Sequence, residues 1–123
     1  MSDAAIPLLR RGQIVLVSLD PAAGSEAAKT RPAVVVSNNT ANAAALRSER
    51  ATVTVVPITS NTAAVHPFQV LLPSSQTGLP AESKAQAEQV RTVAVSRITA
   101  PLGWVPPELM GALDEALRLH LAL

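Results

Sequence analysis

Short apolar runs, each broken by proline, glycine or asparagine, set the rhythm of this chain. Gln13 to Leu19 (QIVLVSL) is apolar on both faces, which predicts a strand inside a sheet. Asp20-Pro21 ends it, because proline cannot donate to a ladder and restricts the residue before it. Residues 21–30 are rich in Ala, Gly and Ser, carry Glu26 and Lys29, and read as a binding loop. Pro32 to Ser37 is the second predicted strand, closed by the turn residues Asn38-Asn39-Thr40. Residues 41–50 predict one or two helical turns. Ala51 to Ile58 alternates, with Val53 and Val55 on one face and Thr52 and Thr54 on the other. Pro57 within it predicts a bulge or a sheet edge near Thr59. Phe68 to Leu72 is a further strand stopped by Pro73, residues 74–80 a loop, and Lys84 to Val95 one or two short strands.

The period then changes. After Gly103, Pro106-Pro107-Glu108 opens a helix, since proline fits the first helical position and an acid favours the positive end of the dipole. Leu109, Leu113, Ala116, Leu117 and Leu121 form one apolar face, with Asp114 and Arg118 as an exposed i,i+4 pair. Residues 1–9 read as a flexible arm and 10–123 as a single domain. About six short strands followed by one helix, without βαβ alternation, predict a mainly β fold with a C-terminal helix: a small, strongly bent antiparallel barrel.

Composition narrows the function. The chain has 123 residues, 48% hydrophobic and 15% charged, which fits one folded domain and excludes disorder. A net charge of +1 gives no general electrostatic footprint for nucleic acid, so any such site must be local. The absence of cysteine excludes disulfides, thiol nucleophiles and cysteine-based zinc sites. His66 and His120 lie far apart without flanking carboxylates, so neither a metal nor another cofactor is expected. The N-terminus lacks a signal-peptide pattern, and no apolar run nears the roughly 20 residues of a membrane span. These features predict a soluble cytoplasmic protein. Phe68 and Trp104 are the aromatic residues, and both read as core.

No G-x-S-x-G elbow supports serine catalysis, and Asp20, Glu26, Glu82 and Glu88 are scattered over different segments. The strongest constellation is Arg31 at the mouth of one strand with Thr59 at the end of another, supported by Ser25, Lys29, Thr30, Ser60 and Asn61. A guanidinium can fork two phosphate oxygens while hydroxyls donate to a third. Such a set favours a pentacoordinate phosphorus over the ground-state diester, because charge builds on its oxygens.

The run GQIVLVSLDPAAGSEAAKTRPAVVVSNN, then VTVVPITSN, then AEQVRTV, resembles the MazF/PemK (Kid) toxins of bacterial toxin–antitoxin modules, from Arg11 to the final helix. The resemblance implies an SH3-like, CcdB-like barrel, a homodimer, and a metal-independent endoribonuclease (an mRNA interferase) that arrests growth. It implies cleavage of single-stranded RNA at short sequences, leaving 2′,3′-cyclic phosphate and 5′-hydroxyl ends. It also implies a cognate antitoxin whose acidic C-terminal segment lies across the RNA groove. The family's essential Arg and Thr fall on Arg31 and Thr59, its loop Ser on Ser25 and its Gln on Gln89. In that scheme the ribose 2′-OH attacks phosphorus, Arg31 stabilises the phosphorane and protonates the leaving oxygen, and Thr59 holds a phosphate oxygen. The base stays open between Lys29 and a water. Gln13, Leu16 and Ser18 depart from the acidic and aromatic residues frequent in the first strand of relatives, so a cleavage sequence does not transfer. A non-enzymatic CcdB-like gyrase-binding toxin and an inactive homologue are the alternatives.

Overall fold

The structure is a computed structural model that describes residues 9–19, 30–48 and 51–123. The predicted site residues Ser25 and Lys29, the strand stop at Asp20-Pro21 and most of the predicted arm lie outside the described residues. The elements run β1 (Gln13–Ser18), β2 (Thr30–Val35), α1 (Asn39–Ala45), β3 (Thr52–Thr59), β4 (Gln69–Leu72), α2 (Ser74–Thr77), β5 (Ser83–Gln86), β6 (Arg91–Ala94), β7 (Ile98–Trp104) and α3 (Pro107–Leu121). Tight 3₁₀ turns at Ala87–Gln89 and Val95–Arg97 flank β6.

All strand pairs are antiparallel, in the order β4-β5-β3-β2-β1-β7, with β6 also pairing with β3. The mainly β fold with a C-terminal helix is as expected. Among the described residues, however, β4 and β7 at the two ends do not pair, so the sheet is open rather than a closed barrel. The central strands are buried on both faces, which is why β1 lacks alternation. Ile14, Val34, Val56 and Ile58 join Val70, Leu72, Leu113 and Ala116 in a core on the α3 side. Val15, Val17, Ala33, Val35, Val53 and Val55 form a second core on the opposite face with Ala45, Val93 and Leu9. Leu9, assigned from the sequence to the arm, is therefore part of the folded body.

Pro57 does not mark an edge. Val36 N–H donates to the Thr54 carbonyl at 2.9 Å. Ladder alternation then makes Val34 and Val56 a hydrogen-bonded pair and turns the imide nitrogen of Pro57 away from β2. On that other side β3 pairs with β6 up to Val55 and with β5 from Ile58 onward. The missing N–H thus falls in the gap where β3 changes neighbour.

The segment 98–104 forms a strand the pattern concealed. Pro101 and Gly103 read as breakers, but β7 is the last strand of the sheet and bulges twice against β1, where proline is tolerated. Gly103 is fixed by contact: a Cβ there would overlap the Thr77 carbonyl of α2, the helical turn inside the predicted loop 74–80. Three further expectations need correction. Trp104 is 51% exposed at the end of β7 and is not a core residue. Asp114 pairs at 2.6 Å with Arg11, not Arg118, which pairs with Glu115. Leu109, Leu113, Ala116 and Leu117 pack as the helical period predicts, but Leu121 is exposed, because α3 packs on β4 and the 87–89 turn and its last residues reach past them.

Candidate active site

Arg31 and Thr59 are brought together by strand register. β2 and β3 pair as Val35 with Val55, Val34 with Val56 and Ala33 with Pro57. Carrying that register two residues further sets Arg31 opposite Thr59. The paired register ends at Ala33 and Pro57, and a cleft borders the two strands beyond it. Its volume is about 350 Å³, and Arg31, Pro32, Ile58, Thr59 and Ser60 form one side. Leu79, Pro80 and Ala81, from the turn leading into β5, and Ser83 at the start of β5 form the other.

Arg31 also borders a second cleft of about 390 Å³, lined by Leu19, Pro57, Gln86, Gln89 and Arg91. Both volumes fall in the range of roughly 300–1,000 Å³ typical of ligand sites. The first mixes apolar and hydroxyl groups, whereas the second is lined largely by amides and guanidinium groups. Arg31 is exposed, and its guanidinium forms no ion pair among the described residues, leaving its planar fork of donors for a ligand.

The Thr59 hydroxyl oxygen accepts the Asn61 N–H at 3.2 Å. That bond uses a lone pair, so the hydroxyl proton remains available to an anion. Asn61 spends its side-chain oxygen on the Ala63 N–H at 3.2 Å, closing the turn after β3, and does not line either cleft. Thr30 is exposed, paired with Ser18, and also outside both clefts. The structure therefore gathers Arg31, Thr59 and Ser60 in one cleft and Arg31 with Gln89 in the other.

Sequence reasoning missed the wall formed by residues 79–81 and 83, and the contribution of Gln86 and Arg91. Gly78, at φ +83°, caps α2 and sends the chain back towards the strand ends; no local pattern announces that return. The wall is braced by Glu82, whose Oε1 accepts the Ser74 N–H at 2.6 Å and the Ser74 hydroxyl at 2.9 Å. These two bonds, the backbone one foremost, hold the Glu82 carboxyl below its ordinary value of 4.5. No His, Asp or Glu cluster able to hold a metal occurs among the described residues. Phe68 stacks on His66 at 5.2 Å, away from the cleft linings, so no aromatic ring lines either cleft among the described residues.

An open antiparallel sheet with a C-terminal helix, and a cleft at its strand ends lined by Arg31 and Thr59, characterise the fold. Residues 10–121 match the family described as PemK-like, MazF-like toxin of type II toxin–antitoxin system, and the chain belongs to that family. It is 57% identical over 116 residues to endoribonuclease MazF9 of Mycobacterium tuberculosis, covering 94% of this chain and 98% of that protein. Endoribonuclease MazF6 of the same organism is 38% identical over 117 residues, covering 94% of this chain and 99% of that one. A mycobacterial endoribonuclease solved in complex with its cognate antitoxin superposes with a TM-score of 0.73 at 26% identity, over 94% of this chain and 96% of the other.

Proposed function

We propose that this chain is a sequence-specific, metal-independent endoribonuclease toxin whose phosphate site is the Arg31–Thr59 cleft. The observation that carries the reading is that Arg31 and Thr59 line one cleft beyond the paired part of β2 and β3. The relatives named as endoribonucleases, matched over nearly the whole chain, support ribonuclease activity over a gyrase-binding role.

The scissile phosphate of single-stranded RNA sits against Arg31, with one flanking nucleotide towards each cleft. The ribose 2′-OH attacks the adjacent phosphorus, giving its proton to Lys29 or a water, and forms a P–O bond as the bond to the 5′-oxygen breaks, that oxygen taking a proton from Arg31. Arg31 forks the equatorial oxygens, whose charge grows in the phosphorane, and Thr59 donates to one of them. The products are a 2′,3′-cyclic phosphate and a 5′-hydroxyl. Ser25, Lys29, Thr30, Ser60, Asn61 and Gln89 are the binding residues of this reading, with Asn61 acting through the turn that holds Thr59.

The protein works as a homodimer, and a cognate antitoxin neutralises it by laying an acidic C-terminal segment over the cationic cleft. The exposed Leu119, Leu121 and Leu123 at the end of α3 are apolar surface suited to burial against a second copy. No described helix is long and apolar enough to cross a membrane.

The test is cleavage of a long single-stranded RNA in EDTA, beside Arg31→Ala. Wild type is expected to give discrete cuts with 5′-hydroxyl ends. R31A is expected to be slower by about two to four orders of magnitude, the usual size of a lost electrostatic or acid–base contribution. Equal rates for the two proteins would remove Arg31 from the mechanism.

A further inference from the structure

Lys84 lies outside both clefts and is only 7% exposed. It stands on β5 directly opposite Thr59 in the β3–β5 register. Its ammonium donates to the carbonyl of Ala64, which belongs to the connection from β3 to β4. That bond ties back onto the sheet the very segment that leaves Thr59. The bonds along the segment run in sequence: Asn61 N–H to Thr59 Oγ1, then Ala63 N–H to Asn61 Oδ1, then Lys84 to the carbonyl of the next residue. At the far end the His66 N–H donates to the buried Gln69 Oε1 at 3.0 Å, and Gln69 Nε2 donates to Glu88 at 2.8 Å.

Burying an ammonium is costly unless acceptors take up its protons. An apolar side chain would fill the same space without that cost, so the bond to Ala64 is what this position adds. A charged donor also makes a hydrogen bond roughly twice as strong as a neutral one.

We propose that Lys84 is a positioning residue: by pinning Ala64 it fixes the 59–64 turn, and with it the direction of the Thr59 hydroxyl into the cleft. The proposal rests on the ribonuclease reading above and goes beyond it, because Lys84 is not itself in the cleft. Small displacements of a positioned group lower turnover far more than binding.

The experiment is a double-mutant cycle on a cleavable RNA oligonucleotide in EDTA, with wild type, Lys84→Met, Thr59→Ala and the double variant. K84M is expected to lower kcat by about 10- to 100-fold, with KM within about threefold of wild type. In the T59A background, K84M is expected to cost no more than about twofold further, since its only route to the phosphate is gone. Lys84→Arg, which keeps a donor on a long stem, should recover most of the lost kcat. Wild-type kcat in K84M, a loss confined to KM, or losses that multiply in the double variant would each overturn the proposal. If circular dichroism shows K84M unfolded, Lys84→Gln is read by the same criteria. Wild-type activity in T59A would instead overturn the reading of the site, and the role of Lys84 with it.

Discussion

Arg31 lies two residues beyond the last paired position of β2 and β3, Ala33 with Pro57, and borders the cleft there. A guanidinium inside a complete ladder would face a neighbouring side chain; beyond the paired positions it borders open volume. Glu82 supports the opposite wall at the same scale. Its depressed carboxyl value means that its bonds to Ser74 stabilise the folded state fully above the unfolded value of 4.5 and fade as pH falls through the lower folded value. Glu82→Gln is therefore expected to lower the urea midpoint at neutral pH, with the difference from wild type closing below pH 4.5. A difference that stays constant with pH would contradict this account. That Arg31 and Thr59 come together in one cleft was legible in the sequence because a cation and a hydroxyl each sat at a strand end. Lys84 was not, since nothing local distinguishes a lysine that donates to a loop carbonyl from one in solvent.

Among the elements, the strands with uninterrupted β-branched residues were read within a few positions of their ends. β7 was not, because what stabilises it is pairing with β1, a contact distant in sequence. The same long-range packing explains Gly103, which sits against α2 where no side chain fits. Gly103→Ala is expected to destabilise the fold by about 1–3 kcal/mol, the usual cost of overpacking, read by urea unfolding. Unchanged stability would mean that α2 and β7 do not meet as described. Pro57 carries a related lesson. Proline in a central strand looks like an edge signal, yet here it falls where the partner strand changes, which only the topology reveals.

At the scale of the whole molecule, a sheet left open between β4 and β7, with a core on each face, carries the ends of β2 and β3 while leaving Arg31 accessible. Side chains carried on strands suit chemistry that depends on placing a nucleophile in line with a leaving group. On the proposed ribonuclease reading, the two flanking nucleotides would meet unlike surroundings, one cleft mixed apolar and hydroxyl, the other rich in amides and guanidinium groups. On that reading the asymmetry would give a physical basis for cutting at particular sequences, and it was invisible in the composition, whose net charge of +1 carries no signal for RNA.

The most direct measurement takes an oligonucleotide spanning one mapped cut and replaces the ribose on the 5′ side of the scissile phosphate with deoxyribose. The account predicts that this single change abolishes cleavage in EDTA while the oligonucleotide still binds and competes with the all-ribose substrate. Cleavage at the unmodified rate would show that the 2′-OH is not the nucleophile and would contradict the mechanism assigned to the Arg31–Thr59 cleft.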